Sequence, residues 1–264
     1  MSTLRVTVAM VVQGGLDVTR ACLESLRVTT ESFALTVVDN ASDDDTPAFF
    51  SRLAYPLPVR YVRNADPAPA VAAYNQAWRL TDTEYVCLLH TDTEMLEPAW
   101  LTRLLAPHDE PDTGLTGLYG AKRVGRDGRY GAGSIVHSLA DGATVRAPYE
   151  EVAVVDGVCL CVRRRLLEQM GGLDESYCLH GYDRDLSIAV RETGRRCLVV
   201  HVPFRHGRGT TRTRDLARPG ATEAHDLERR RAATARFARK YAHRLPCDVR
   251  SVRTRVGDWL ARQT

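Results

Sequence analysis

The sequence predicts an α/β fold on a mostly parallel central sheet flanked by helices, with a helical extension at the C-terminus. Three observations predict it. Over the first ninety residues short β-branched runs alternate with amphipathic stretches, the mark of successive βα units. Residues 85–89 are apolar at every position, as expected of a central strand covered on both faces. The chain has 264 residues, 44% of them apolar, which is enough to bury a full core.

The elements follow in order. Residues 5–12 read as a first strand, and Asp17 as the cap of a helix whose Val18, Cys22 and Leu26 share a face. Residues 35–38 form a second strand ending at Asp39. The run Asp43-Asp44-Asp45-Thr46-Pro47 starts a helix, with acidic side chains at the positive end of the dipole and proline at the first helical position. Residues 60–63 make a third strand, and residues 69–80 a helix with Val71, Tyr74 and Trp78 on one side. The apolar strand 85–89 runs directly into His90-Thr91-Asp92-Thr93-Glu94. Pro98 opens a helix buried through Trp100, Leu101, Leu104 and Leu105. Trp78 and Trp100, both on apolar stripes, read as core.

The glycines of 113–147 and the Asp127-Gly128 pair predict hairpins and loops. A strand over 152–162 follows, then a short helix ending at Gly171-Gly172, a helix over 183–193 stopped by Gly194, and a strand over 197–202. Residues 205–222 are expected to form a mobile loop, and 223–241 and 249–261 helices. No internal repeat interrupts this order.

Composition bounds the partners. Net charge is only +3, but it is divided. Up to Phe204 there are 20 Lys or Arg against 27 Asp or Glu, a balance of −7; from Arg205 onward 16 stand against 6, a balance of +10. An acidic body that holds a divalent cation and a basic tail that closes on phosphates is one reading; attraction of the tail to an anionic membrane surface is another, and a solvated helical face a third. No nucleic-acid partner is expected, and a homodimer is compatible with the sequence. Seven cysteines, with no CxxC pair and mostly inside apolar runs, suit reduced buried thiols and not a structural zinc site. With no signal peptide and no membrane-length apolar run, a cytoplasmic location is expected.

In an open parallel sheet ligands collect at the carboxyl ends of the strands. There the chain places Gln13-Gly14-Gly15, Asp39-Asn40-Ala41-Ser42-Asp43 and His90-Thr91-Asp92. A carboxylate just past an apolar strand, such as Asp92, is placed to hold a hard cation that shares oxygen ligands with phosphates. Asp183 and Asp185 lie at a helix start, where backbone N–H groups and the dipole favour ionised carboxylates.

The string Val37-Val38-Asp39-Asn40-Ala41-Ser42-Asp43-Asp44 and the later Leu88-Leu89-His90-Thr91-Asp92-Thr93 resemble the family 2 glycosyltransferases of GT-A fold, of rhamnosyltransferase-like type. Gly157 to Arg164 followed by Met170-Gly171-Gly172-Leu173-Asp174-Glu175, then His180-Gly181-Tyr182-Asp183-Arg184-Asp185-Leu186, and Val202-Pro203 with His206, agree in order and spacing over roughly residues 4–209.

The resemblance implies a metal-dependent, inverting transfer of a sugar from a nucleotide-diphosphate donor to an unidentified acceptor hydroxyl. It implies a GT-A domain over residues 1–210, with a basic loop and helical extension over 211–264. It makes Asp39 the contact to the donor's pyrimidine, with Val11, Gln13 and Asn40 near base and ribose. Asp92 becomes the ligand of Mn²⁺ or Mg²⁺, His206 a second ligand, and Asp183 the catalytic base, with Asp185 the rival acid should Asp183 only cap the helix. Asn75 is expected on the donor, and the phosphate contact that relatives take from the residue before it is expected to have moved to Arg208, Arg212 or Arg214.

Three positions depart from the pattern. His90 stands where Asp or Asn is usual, Tyr182 where Glu is usual, and Tyr74 where Arg often precedes Asn. His90 is therefore open between metal ligand and ribose contact. The missing Gly-rich phosphate loop argues against a nucleotidyltransferase, and the missing GxGxxG against a dinucleotide-binding dehydrogenase. The remaining alternative is a nucleotide-sugar-binding protein of this fold with impaired turnover.

Overall fold

The computed structural model describes residues 4–207 and 222–250. The βα units come in the expected order: β1 (Val6–Val12), α1 (Leu16–Leu26), β2 (Ala34–Asp39), α2 (Thr46–Arg52), β3 (Val59–Arg63), α3 (Ala70–Arg79) and β4 (Tyr85–Leu89). Next come β5 (Thr93–Met95), α4 (Trp100–Leu105), β6 (Thr113–Gly117), β7 (Tyr119–Ala121), β8 (Arg123–Val124), β9 (Ile135–His137), β10 (Tyr149–Val152), β11 (Val154–Val155) and β12 (Cys159–Arg163). The rest is α5 (Arg164–Gln169), α6 (Tyr182–Glu192), β13 (Arg196–Val200), β14 (Phe204–His206), α7 (Glu223–Lys240) and β15 (Cys247–Asp248).

Eight strands form the main sheet in the order β10-β13-β6-β12-β4-β1-β2-β3. Pairing is parallel across β4, β1, β2 and β3 and between β13 and β6, and antiparallel where β12 lies between β4 and β6 and where β10 joins β13. The sheet is thus mixed and mostly parallel. Alternation along β1 divides the core, with Val6, Val8, Met10 and Val12 on the face of α1 and α4, and Ala9 on the face of α3 and α6. β4 is buried on both faces, as its composition requires.

Several expectations are corrected in detail. The strand expected over 152–162 is the end of β10, then β11, then β12, and the break leaves Asp156 and Gly157 at a turn. Asp17 does not cap α1. Gly15 is the cap, at φ 78°, and the Asp44 carboxylate accepts from the N–H groups of Gly15 (2.8 Å) and Leu16 (3.2 Å). The expected loop 205–222 begins as a strand, β14 on β5; its residues 208–221 lie outside the described residues. Val249 donates its N–H to the Lys122 carbonyl (3.0 Å) beside the β15–β8 pair, so the expected helix does not start there, and 251–264 are outside the described residues. Five cysteines are buried, but Cys178 is exposed. No described helix is long and apolar enough to cross a membrane.

α7 packs back on the body through Phe237 and Tyr241, both buried. Its polar anchors are Lys240, whose ammonium meets Asp174 at 2.9 Å and Asp185 at 2.7 Å, and Tyr241, which donates to the Asp185 carbonyl at 3.2 Å.

Candidate active site

A cavity of about 330 Å³ opens at the carboxyl ends of β1, β2 and β4. Val11 and Gln13 line it from β1 and its exit, and Asn40 from the end of β2. Asn40 is held on three sides, donating to the Ala68 carbonyl (2.9 Å) and accepting from the Ala68 N–H (2.8 Å) and the Asn64 amide (3.1 Å). Those bonds tie the β2 exit to the loop before α3 and fix that wall.

The next wall is a cluster of titratable side chains. β4 delivers His90 and Asp92, while the ribbon of β14 on β5 pairs His206 with Thr93 and so brings it beside Asp92 from more than a hundred residues away. His90, Asp92 and His206 each offer one donor atom within 4.8 Å of the others. His206 Nε2 lies 3.1 Å from Asp92 Oδ1, yet it is buried and has no hydrogen-bond partner among the described residues. Burial draws the His90 imidazole down to about 4, against the pull of Asp92, so the ring is neutral at physiological pH. Two imidazoles and a carboxylate around a buried, unbonded nitrogen form a donor set that fits a divalent cation.

Opposite stand two carboxyl groups. Gly181, at φ 90°, turns the chain into α6 and sets Asp183 in the first helical turn. Asp183 Oδ1 accepts from the Arg184 N–H (2.8 Å) and Oδ2 from the Gly157 N–H (3.1 Å), so its orientation is fixed from two elements. Asp156 lies across Gly157 from it; burial, and then the charge of Asp183, push its carboxyl up to about 6. Both line the same cavity as Asp92.

The sequence profile of Glycosyl transferase family 2 matches residues 7–171, more than half of the chain. The chain belongs to glycosyltransferase family 2. Among curated proteins it is similar to the uncharacterized protein y4gI of Sinorhizobium fredii, 32% identical over 201 residues covering 68% of this chain and 22% of that protein. It is also similar to the O-antigen biosynthesis protein RfbC of Myxococcus xanthus, 24% identical over 198 residues covering 68% and 15%. The chain thus spans about a fifth of the length of these curated relatives. Among solved structures, GalNAc-T7 with UDP, GalNAc and Mn²⁺ aligns with TM-score 0.62 at 14% identity over 77% of this chain and 43% of that one. The mannosyltransferase PcManGT of Pyrobaculum calidifontis, with GDP-Man and Mn²⁺, aligns with TM-score 0.57 at 18% identity over 97% and 80%. These likenesses show the shared GT-A fold.

In this family 2 chain most of the expected site residues meet in one cavity: Val11, Gln13, Asn40, His90, Asp92, Asp183 and His206. Three do not. Asn75 is a correction, because its amide is spent inside the protein. It donates to the Leu173 carbonyl (2.9 Å) and Glu175 (2.8 Å) and accepts from the Leu173 N–H (2.9 Å) and the Trp78 indole (2.8 Å), binding α3 to the Gly171-Gly172 turn. Asp39 is fully buried behind the cavity wall, accepting from the Ser42 N–H (2.8 Å) and the Tyr61 hydroxyl (2.5 Å), and it braces the β2 exit that Asn40 lines. Arg208 lies outside the described residues. The rival acid Asp185 faces away from the cavity, paired with Lys240.

Sequence reasoning missed Asp156 and the far rim. Asp156 directly precedes the Gly157–Arg164 segment, and that adjacency is the available signal. His180, Asp226 and Arg230 make the rim; Asp226, nearly fully buried, meets His180 at 2.9 Å and Arg230 at 2.9 Å. Nothing in the polar run of α7 marks Asp226 as buried.

Proposed function

We propose that this chain transfers a sugar from a nucleotide-diphosphate donor to an acceptor hydroxyl, with inversion at the anomeric carbon. The observation that carries it is the single cavity shared by the His90–Asp92–His206 cluster and Asp183. The donor's nucleoside would lie along Val11, Gln13 and Asn40, with its diphosphate toward Asp92. The nucleotides held by the neighbours, UDP and GDP-mannose, support a UDP- or GDP-sugar. Asp92 and His206, with His90, would hold Mn²⁺ or Mg²⁺, and the ion would neutralise charge on the departing diphosphate.

Asp183 takes the proton from the acceptor hydroxyl as that oxygen attacks the anomeric carbon. The bond to the diphosphate breaks on the opposite side and its electron pair leaves with the nucleotide. The two backbone N–H groups on Asp183 aim its carboxylate, so that its orientation is set before the acceptor arrives. Asp156, which lines the cavity beside Asp183, accepts hydrogen bonds from sugar hydroxyls between the two ends. The RfbC likeness supports a glycan acceptor.

The test is release of UDP or GDP from a panel of sugar donors with Mn²⁺ and a glycan acceptor mixture. Turnover by the wild-type chain that is lost in Asp183→Asn, with donor binding retained, supports the reading. Donor binding without turnover in the wild type would make it a binding protein.

A further inference from the structure

The three positions at which the sequence departs from the pattern it resembles are in contact with one another. The Tyr74 and Tyr182 rings stack with centroids 5.6 Å apart and planes 28° apart, and Tyr74 stacks on His90 at 6.3 Å and 20°. The Tyr182 hydroxyl lies 3.3 Å from His90 Nε2. Tyr182 is 5% and Tyr74 8% exposed, so the stack is dry and its rotamers are restricted by packing. It also needs the glycine beneath it, since a Cβ on Gly157 would fall 2.5 Å from the Tyr182 oxygen. On its other side the His90 ring approaches His206, with centroids 5.7 Å apart.

We propose that Tyr182 is a positioning residue for His90, and that the Tyr74–Tyr182–His90 stack makes the His90–Asp92–His206 cluster a nitrogen-rich site selective for Mn²⁺-type ions over Mg²⁺. The inference rests on the metal site of the proposed function and deepens it. His90 Nε2–H donates to the Tyr182 oxygen, which fixes the tautomer and leaves Nδ1 with its lone pair for an ion. A ligand histidine anchored through its other nitrogen is held in orientation and made more basic. Mn²⁺, a first-row transition ion, accepts imidazole nitrogens beside a carboxylate more readily than Mg²⁺, which demands a near-ideal oxygen octahedron and dehydrates reluctantly. An aspartate at position 90 would need no phenol behind it, and a glutamate at position 182 would add a charge that this neutral stack excludes. The three departures are thereby one change of donor chemistry.

The 264-residue chain, freed of metal and without nucleotide, is titrated with Mn²⁺ by electron paramagnetic resonance and with Mg²⁺ in competition, and its Co²⁺ complex is read in the visible spectrum. The wild type is expected to bind Mn²⁺ at least roughly tenfold more tightly than Mg²⁺. Tyr182→Phe, which keeps the ring and the stack, should weaken Mn²⁺ by about 10–100-fold, shift the Co²⁺ bands and leave Mg²⁺ binding within about twofold. His90→Asn should erase the Mn²⁺ preference, while Asp92→Asn abolishes binding of both ions. Loss in Asp92→Asn combined with wild-type affinities, selectivity and Co²⁺ bands in both Tyr182→Phe and His90→Asn overturns the inference and leaves the metal site standing. A wild type that binds no Mn²⁺ overturns both.

Discussion

The two ends of the cleft are built differently. On the proposed donor side, Val11, Gln13, Asn40, His90 and Asp92 all stand at or within a few residues of the end of a parallel strand, so the sheet itself positions them. On the side of the proposed base, Asp156, His180, Asp183, Asp226 and Arg230 come from a strand break, a helix start and a helix some forty residues later. One end is set by backbone topology; the other depends on how α6 and α7 pack. Substitutions on the second side should therefore separate acceptor chemistry from donor binding.

The largest effect expected is on Asp183. Asp183→Asn keeps an acceptor for only one of the two backbone N–H groups that Arg184 and Gly157 donate, and removes the proposed proton acceptor, so turnover should fall by roughly 10²–10⁴-fold with donor affinity within about twofold. Steady-state rates beside donor titration calorimetry check it, and a parallel loss of donor binding would erase the division between the two ends. Next is Phe237→Ala, which empties a fully buried site beneath α7. It should cost about 3–5 kcal/mol in denaturant unfolding, and it should reduce acceptor-dependent turnover more than nucleotide binding. Equal losses in both would show that α7 supports the whole cleft.

Asn75→Ala is expected to be smaller and to reach only stability. The Leu173 N–H and the Trp78 indole would lose buried acceptors, at a cost of about 1–3 kcal/mol, while the nucleotide dissociation constant stays put. A weakened nucleotide affinity without a change in stability would restore Asn75 to the donor contacts that the sequence suggested.

The same contrast explains what the sequence made legible. β1 to β4 and their helices follow from alternation and from the apolar run 85–89, and strand ends expose their ligands by position. Asp92, three residues past the apolar strand, and Asp183, at a helix start, stood out as candidates by position. Asn75 misled because a polar residue beside an expected site residue looks the same whether it faces a ligand or a glycine turn; its partners lie about a hundred residues away. The break at Asp156 was hidden inside one long apolar run, which periodicity cannot divide. Asp226 was invisible because burial of a single acid in a charged helix depends on where that helix docks. The contact of Tyr182 with His90 was equally out of reach, since residues 92 positions apart carry no mark of adjacency.

The smallest effect tests the rim itself. His180 Nε2 meets Asp226 Oδ1 at 2.9 Å, and the charged groups facing the ring from α7 are Asp226, Arg229 and Arg230. Burial lowers the affinity of the imidazole for a proton; the Asp226 hydrogen bond opposes this, and the two guanidinium groups reinforce it, so the folded value lies below the ordinary 6.5. A folded pKa below the unfolded one means that the unfolded chain takes up the proton first. The contribution to stability is complete above about 6.5 and fades as pH falls through that value and the folded one. Between pH 7 and 5 the α7 amides should exchange with deuterium faster relative to those of β1 and β4. His180→Gln, whose amide nitrogen reaches the Nε2 position and keeps a donor for Asp226 but cannot titrate, should flatten that difference. If wild type and variant show the same pH slope in α7, His180 is not the proton-sensitive anchor of the rim, and the packing of Phe237 and Tyr241 holds it.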